Sequence, residues 1–254
     1  MEFMTQKVEN LPVYIFNTRE EMGVKAAADA AVIINDVIAR NGVANVVFAA
    51  APSQNDLLLN LLKQDIDWTK VRGFHQDEYI GIDENEPAGF GNWLRRAIFD
   101  KVPFMELHYL LCQENEAEDK CGEYTALLQK YPIDLIFLGI GENGHLAFND
   151  PAVADFNDPK MIKVVELDDV CRQQQVNDGC FATLNDVPKQ AMSLTMSFIM
   201  SVPYAVCVVP TDRKANAVYG ATRGPVTTAC PASILRQHKN AGLYLDKASA
   251  SKIL

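Results

Sequence analysis

Short apolar segments bounded by turn residues alternate with longer stretches of helical periodicity along most of the chain, and this alternation restricts the architecture more than any single motif does. Thr18, then Glu20 and Glu21, then apolar positions at 3–4 spacing from Val24 to Ile38, predict a capped helix that ends near Gly42. Residues 44–50 (ANVVFAA) read as a buried strand between Gly42 and Pro52. Residues 57–62, 88–100, 116–129 and 213–222 read as helices, and residues 71–75, 161–167, 205–209 and 242–245 as strands. Residues 133–140 (IDLIFLGI), bracketed by Pro132 and Gly141, form the most strand-like segment and are expected at the centre of a sheet. Mostly apolar strands joined by helices predict an α/β fold with a largely parallel sheet covered on both faces.

Composition narrows the function. The 254 residues carry 23 Lys+Arg against 33 Asp+Glu, a formal net charge of −10, so no broad basic face is available for a nucleic-acid backbone. A small anionic ligand needs only one or two cations and some backbone N–H groups, which an acidic chain can still supply. No apolar run reaches the roughly 18–20 residues that span a bilayer, and MEFMTQKVEN lacks the regions of a signal peptide. The expectation is a cytoplasmic protein with no membrane and no nucleic-acid partner. With 48% hydrophobic residues and no low-complexity linker, residues 1–254 are read as one domain. Cys112, Cys121, Cys171, Cys180, Cys207 and Cys230 show no CxxC pairs and no neighbouring His, which predicts reduced thiols and neither a metal nor a disulfide framework.

In open parallel sheets, ligands bind where loops leave the carboxyl ends of the strands. Three such loops stand out, and a fourth position follows residues 205–209. The loop after residues 133–140, GIGENGHLAFNDP, has glycines at 139, 141 and 144 that fit GxGxxG. A dinucleotide site is disfavoured there, because the string lies past mid-chain and runs into Asn149, Asp150 and Pro151, which stop a helix. The same loop places His145 five residues before Asp150, with Asn143 ahead of it, a combination suited to acid/base work near neutral pH. The loop after residues 71–75 carries Asp77 and Glu78, and a carboxylate there would face the His145 loop across a common cleft. In the first loop (AAPSQND), Ser53 could cap the following helix or cradle an anion, and Lys214 in TDRK could supply a cation for phosphate.

Read together, HQDEYIG, LGIGENGHLAFNDP, TDRKANAV and GPVTTACPASILRQH resemble the glucosamine-6-phosphate deaminase (isomerase) family, a relative of the 6-phosphogluconolactonases, over residues 15–245. The continuation Leu146-Ala147-Phe148-Asn149-Asp150 after the His is closer to the deaminases than to the Thr-Ala-Ser-Leu-Phe-Pro type of the lactonases. The resemblance implies a three-layer α/β/α, modified Rossmann-like fold. It also implies conversion of glucosamine 6-phosphate and water to fructose 6-phosphate and ammonia without metal or cofactor. Asp77 matches the general base, His145 the ring-opening residue, Asp150 the position of a Glu that orients this His, and Lys214 a phosphate-binding lysine. Glu78, Gly141 and Gly144 fall in the same motifs as substrate-binding neighbours, and residues 155–188 correspond to a mobile lid. Family members occur as monomers and as hexamers, so a homo-oligomer is among the implied partners.

The chain departs from the family pattern at several points. Asn143 stands where deaminases carry an acid, and Asp150 is one methylene shorter than the family's Glu. Ala51-Pro52-Ser53-Gln54-Asn55 replaces a TGGTP-like phosphate loop. Near Val176, where the family's lid arginine aligns, the nearest arginine is Arg172, one helical turn away, which is the expected phosphate ligand. Two competing readings are lactone hydrolysis on the same scaffold and a sugar-phosphate-binding regulator without turnover.

Overall fold

The computed structural model describes residues 3–83 and 85–254; Met1, Glu2 and Glu84, which belong to the 1–254 domain reading, lie outside the described residues. The strands are β1 (Phe3–Val8), β2 (Leu11–Phe16), β3 (Ala44–Phe48), β4 (Val71–His75), β5 (Asp77–Tyr79), β6 (Glu106–His108), β7 (Leu135–Leu138), β8 (Ile162–Glu166), β9 (Gln190–Leu194), β10 (Tyr204–Val209) and β11 (Ala241–Asp246). The α-helices are α1 (Arg19–Asn41), α2 (Asn55–Leu61), α3 (Phe90–Leu94), α4 (Ala117–Lys130), α5 (Asp169–Asn177), α6 (Met196–Ser201) and α7 (Ala215–Arg223).

An eight-stranded sheet runs in the order β1-β2-β11-β10-β7-β3-β4-β6. Every pairing from β2 to β6 is parallel, and β1 joins the edge antiparallel to β2. The α/β class and the largely parallel sheet are therefore as expected, with β7 well inside the sheet. Successive side chains of a strand point to opposite faces, and the two apolar cores divide accordingly. Ile136 and Leu138 enter one core with Tyr124 of α4, Ile199 of α6 and Val218 of α7. Leu135 and Phe137 enter the other with Ala27, Ala30 and Ile34 of α1. Helices thus cover both faces, giving three layers.

Helix α1 follows its end signals. The Thr18 side chain accepts a 3.2 Å hydrogen bond from the Glu21 N–H, and Gly42 closes the helix at φ +81°, a conformation that an L side chain resists. Three features differ from the sequence reading. Residues 88–100 begin as α3 but continue as a π-helical turn over Arg95–Phe99. Residues 161–167 form β8, which leaves the parallel sheet for a separate three-stranded sheet of order β5-β9-β8, antiparallel throughout. Asp77 and Glu78, read as loop, form β5 in that small sheet, because β9 supplies the backbone partners (Asp77 opposite Ser193) that local sequence could not reveal.

The chain builds β3, β4 and β6 in one direction from the centre, then returns to place β7, β10 and β11 on the other side. The order reverses between β3 and β7, so the loops at their carboxyl ends diverge and leave a crevice.

Candidate active site

A cavity of about 170 Å³ occupies that crevice. Its walls come from Ala49 to Gln54 after β3, Gln76 and Asp77 after β4, Gly139 to Gly141 after β7, and Pro210, Thr211 and Lys214 after β10. All the strand-end positions selected from the sequence meet here. His145, Ala147 and Phe148 add a further wall, and Gln174, Gln175 and Asp178 approach from α5 and the residue after it. Two of its residues have left-handed backbone without being glycine, Ala147 at φ +51° and Thr211 at φ +79°. Such strain persists only where the surroundings impose it. At Thr211 they do so through the Asp246 carboxylate, whose oxygens accept the Thr211 N–H at 3.0 and 3.2 Å.

His145 is the most constrained group in the cavity. Its Nδ1 lies 2.9 Å from Asp150 Oδ1, and its ring packs on Gly141 so closely that a Cβ there would collide with it. With Nδ1 engaged by a carboxylate, Nε2 is the ring nitrogen left for a ligand. Asp150 is fully buried and also accepts from Asn143 Nδ2 at 2.9 Å and from the Asp168 N–H at 3.3 Å. Burial works against this carboxylate, yet the hydrogen bonds and charge of His145, with those of Asn143 and Asp168, hold it below the ordinary aspartate range. Asn143 closes the arrangement: its Oδ1 accepts the His145 N–H at 3.1 Å. Asn143 and Gly144 lie behind the cavity wall and not on it. Gly144, at φ +86°, makes the left-handed turn and packs against Cys230 where no Cβ would fit.

Asp77 is almost fully buried, and burial, reinforced by the neighbouring Glu78, pushes its carboxyl well above the usual carboxylate range. Such a group is a stronger base than an exposed aspartate. Glu78 is on the opposite face of β5 and does not line this cavity; its oxygens accept the N–H groups of Tyr79, Phe90 and Gly91 at 2.9, 3.0 and 2.8 Å. The expected contact of Glu78 with substrate is thus replaced by a structural set of bonds, as strand alternation requires once the segment is β5.

Lys214 is buried on the cavity wall, and among the described residues its Nζ makes no hydrogen bond and no ion pair. Burial lowers its pKa, partly opposed by Asp178 and Glu142. Ser53 lies in the 3-10 turn Pro52–Gln54 on the same wall. Arg172 does not reach the cavity. Its guanidinium donates to Asp169 Oδ1 at 2.9 Å and to the carbonyls of Leu184 and Val187 at 2.6 and 3.2 Å, tying α5 to the segment that follows. The side chain points along residues 169–187, so the one-turn offset from the aligned position is not made up.

The cation that sequence reasoning missed is Arg19, the first residue of α1. It lines the cavity, pairs through Nε with Asp56 Oδ2 at 2.6 Å and donates from Nη2 to the Pro52 carbonyl at 3.3 Å. Gln54 and Gln76 were also missed; both are buried on the wall, and Oε1 of each has no hydrogen-bond partner among the described residues. Gln54 and Gln76 lie in the strand-end loops after β3 and β4 that the sequence singles out, beside Ser53 and Asp77, whereas no local signal marks Arg19, which reaches the cavity through the packing of α1.

Cys171 joins His145 and Asp150 in a group whose ligand atoms lie within 4.8 Å of one another, the dimension of a divalent-cation site. The donor set fits such an ion poorly. The Asp150 oxygens already accept from His145, Asn143 and Asp168, and burial, with Asp150 and Asp168 beside it, holds the thiol well above its usual range and so protonated.

The model of the family described as glucosamine-6-phosphate isomerases/6-phosphogluconolactonase matches residues 17–244. A glucosamine-6-phosphate deaminase of Listeria welshimeri is 32% identical over 219 residues, 86% of this chain and 92% of that protein. One from Streptococcus equi subsp. zooepidemicus is 35% identical over 195 residues, 76% of this chain and 80% of its own. Among solved structures, a monomeric glucosamine-6-phosphate deaminase superposes with a TM-score of 0.84 at 24% identity, covering 94% of this chain and 99% of its own. The 6-phosphogluconolactonase of Trypanosoma brucei superposes with a TM-score of 0.77 at 16% identity, covering 99% and 100%. The shared fold and the match over nearly the whole length lead to one conclusion: this chain belongs to the glucosamine-6-phosphate isomerase/6-phosphogluconolactonase family.

Proposed function

We propose that this protein converts glucosamine 6-phosphate and water to fructose 6-phosphate and ammonia. The observation that carries the reading is the meeting of a buried carboxylate, Asp77, and a carboxylate-held imidazole, His145, on one cavity that has Lys214 and Ser53 on its wall. Ring opening moves a proton from O1 to O5 of the hemiacetal, which His145 performs through Nε2 while Asp150 fixes its tautomer and Asn143 fixes both. Asp77 removes the proton from C2 of the open chain and returns it to C1, turning the aldose into the ketose oxidation level. Water then adds at C2 and ammonia leaves. Lys214, Ser53 and the free edge of Arg19 hold the phosphate and thereby bring C1 and C2 within reach of the base.

The chain acts as one domain, because the site draws on residues from Arg19 to Lys214, and residues 155–188 serve as the lid through Gln174 and Gln175. The cytoplasm is the proposed location, in keeping with a phosphosugar substrate; among the described residues no helix is long and apolar enough to cross a membrane. The test is to supply purified protein with glucosamine 6-phosphate and measure ammonia and fructose 6-phosphate together. Equal amounts of both are expected. Neither product, with melting still shifted by the sugar phosphate, would indicate the regulator instead, and acid release from 6-phosphogluconolactone would indicate the lactonase.

A further inference from the structure

Asp77 and Glu78 are consecutive on β5 and face opposite ways, Asp77 into the catalytic cavity and Glu78 into a second cavity of about 330 Å³ lined also by Asn92, Arg95, Tyr109 and Leu111. Glu78 is 1% exposed, and its three accepted hydrogen bonds tie three backbone N–H groups together: its neighbour Tyr79 and the first two residues of α3, Phe90 and Gly91. Gly91 permits this approach, since a Cβ there would press on Glu78 Oε2, the His75 ring and the Tyr109 ring at 3.3–3.5 Å. Phe90, fixed in this way, lines the catalytic cavity and stacks on Phe148 of the His145 loop, with ring centroids 5.4 Å apart and planes 9° from parallel.

We infer that Glu78 is a positioning residue for the reaction: from behind β5 it pins the Phe90–Phe148 wall beside Asp77 and sets the electrostatic environment of that base. The inference rests on Asp77 being the base of the proposed reaction. Its two parts have separate physical origins. The pinning depends on the length of the side chain, which must reach α3. The electrostatic part depends on the charge, because a carboxylate beside a second buried carboxylate disfavours ionisation of both.

Among the described residues no lysine or arginine pairs with either carboxylate, and Arg95 pairs with Asp100 instead. His75 of β4 faces Glu78 with Nε2 at 4.0 Å from Oε2, but burial lowers its pKa to about 3 and leaves it neutral. Cys112 faces Glu78 as a buried thiol, and Arg95, Asp83 and Tyr109 face it across the second cavity. Asp77 is faced by Tyr79 on its own strand, Tyr124 of α4, Cys171 of α5 and His145. Burial raises Glu78 itself to about 7 despite its three N–H donors.

Two substitutions separate the parts. Glu78→Gln keeps the length and removes the charge; Glu78→Asp keeps the charge and withdraws it from α3. Carboxyl ¹³C titration of Asp77 reads the electrostatic part without any need for turnover. Glu78→Gln is expected to lower the Asp77 midpoint by about one pH unit, and in an active enzyme to move the acid limb of kcat/KM by the same amount. Glu78→Asp is expected to leave that midpoint near wild type while lowering kcat at least about tenfold, because the Phe90 wall loosens. Melting curves identify any variant that fails to fold, and the surviving variant still reads its own half. An Asp77 midpoint unmoved by Glu78→Gln, or full kcat in a folded Glu78→Asp, overturns the inference. Absence of turnover in the unaltered protein overturns the proposed function and leaves the titration to be read independently.

Discussion

The cavity residues proposed to meet the two ends of the substrate, its reacting carbons and its phosphate, are built on different plans. At the acid–base end His145 is held by Asp150, Asp150 by Asn143 and Asp168, and Asn143 by the His145 backbone, while among the described residues the Asp77 carboxylate makes no hydrogen bond. At the phosphate end Lys214 has no hydrogen bond or ion pair among the described residues, and elsewhere on the wall the Oε1 atoms of Gln54 and of Gln76, the neighbour of Asp77 in the chain, have no hydrogen-bond partner either. A buried unpartnered polar group costs about 1–3 kcal/mol, a cost that a bound ligand removes. The contrast teaches a division of labour. The His145 loop is organised before substrate arrives, which favours catalysis; Lys214 completes its bonding only with an anion in place, and the two Gln oxygens only with a donor such as a sugar hydroxyl, which favours binding.

Substitutions at the two ends should therefore fail in different ways. The largest effect is expected from Asp77→Asn, which removes the base and should lower kcat by about 10³-fold. Asp150→Ala should follow, at about 10²-fold in kcat with KM little changed, because His145 loses both its orientation and its charge partner; steady-state kinetics check both. Lys214→Ala should raise KM by about 10–100-fold and leave kcat near wild type. The pH dependence of binding offers a gentler probe. Because burial lowers the Lys214 pKa, phosphate affinity should be full where Lys214 is charged and the phosphate is a dianion, and be lost, as pH rises, below the range of an ordinary lysine; affinity against pH by calorimetry checks this. The smallest catalytic effect belongs to Arg172→Ala. Two carbonyls lose their donor there, so stability should fall by about 1–3 kcal/mol while kcat/KM stays within about threefold.

How far each end could be read from sequence follows the same contrast. The acid–base loop is legible because its signals are local: Gly141 and Gly144 mark close approach and a left-handed turn, and His145 and Asp150 sit five residues apart in one loop. Most helices and parallel strands are legible for a like reason, since caps and apolar runs are short-range. Glu78 was misplaced because nothing near it reports that residues 77–79 pair with β9, more than a hundred positions on, and so alternate in direction. Arg172 sits close enough in sequence to be expected on the phosphate, yet the structure turns it onto the carbonyls of Leu184 and Val187. Arg19 reaches the cavity only because α1 lies against Asp56 of α2 and the turn at Pro52, a contact between elements that sequence spacing does not express.

The separation of the two ends is tested most directly by measuring kcat, KM and the melting shift induced by fructose 6-phosphate in Asp77→Asn and Lys214→Ala side by side. Asp77→Asn should lose turnover and keep the melting shift, and Lys214→Ala should keep kcat and lose most of the shift. If both variants lose the shift together, or if Asp77→Asn turns over at the wild-type rate, the two ends do not divide binding from proton transfer and Asp77 is not the base.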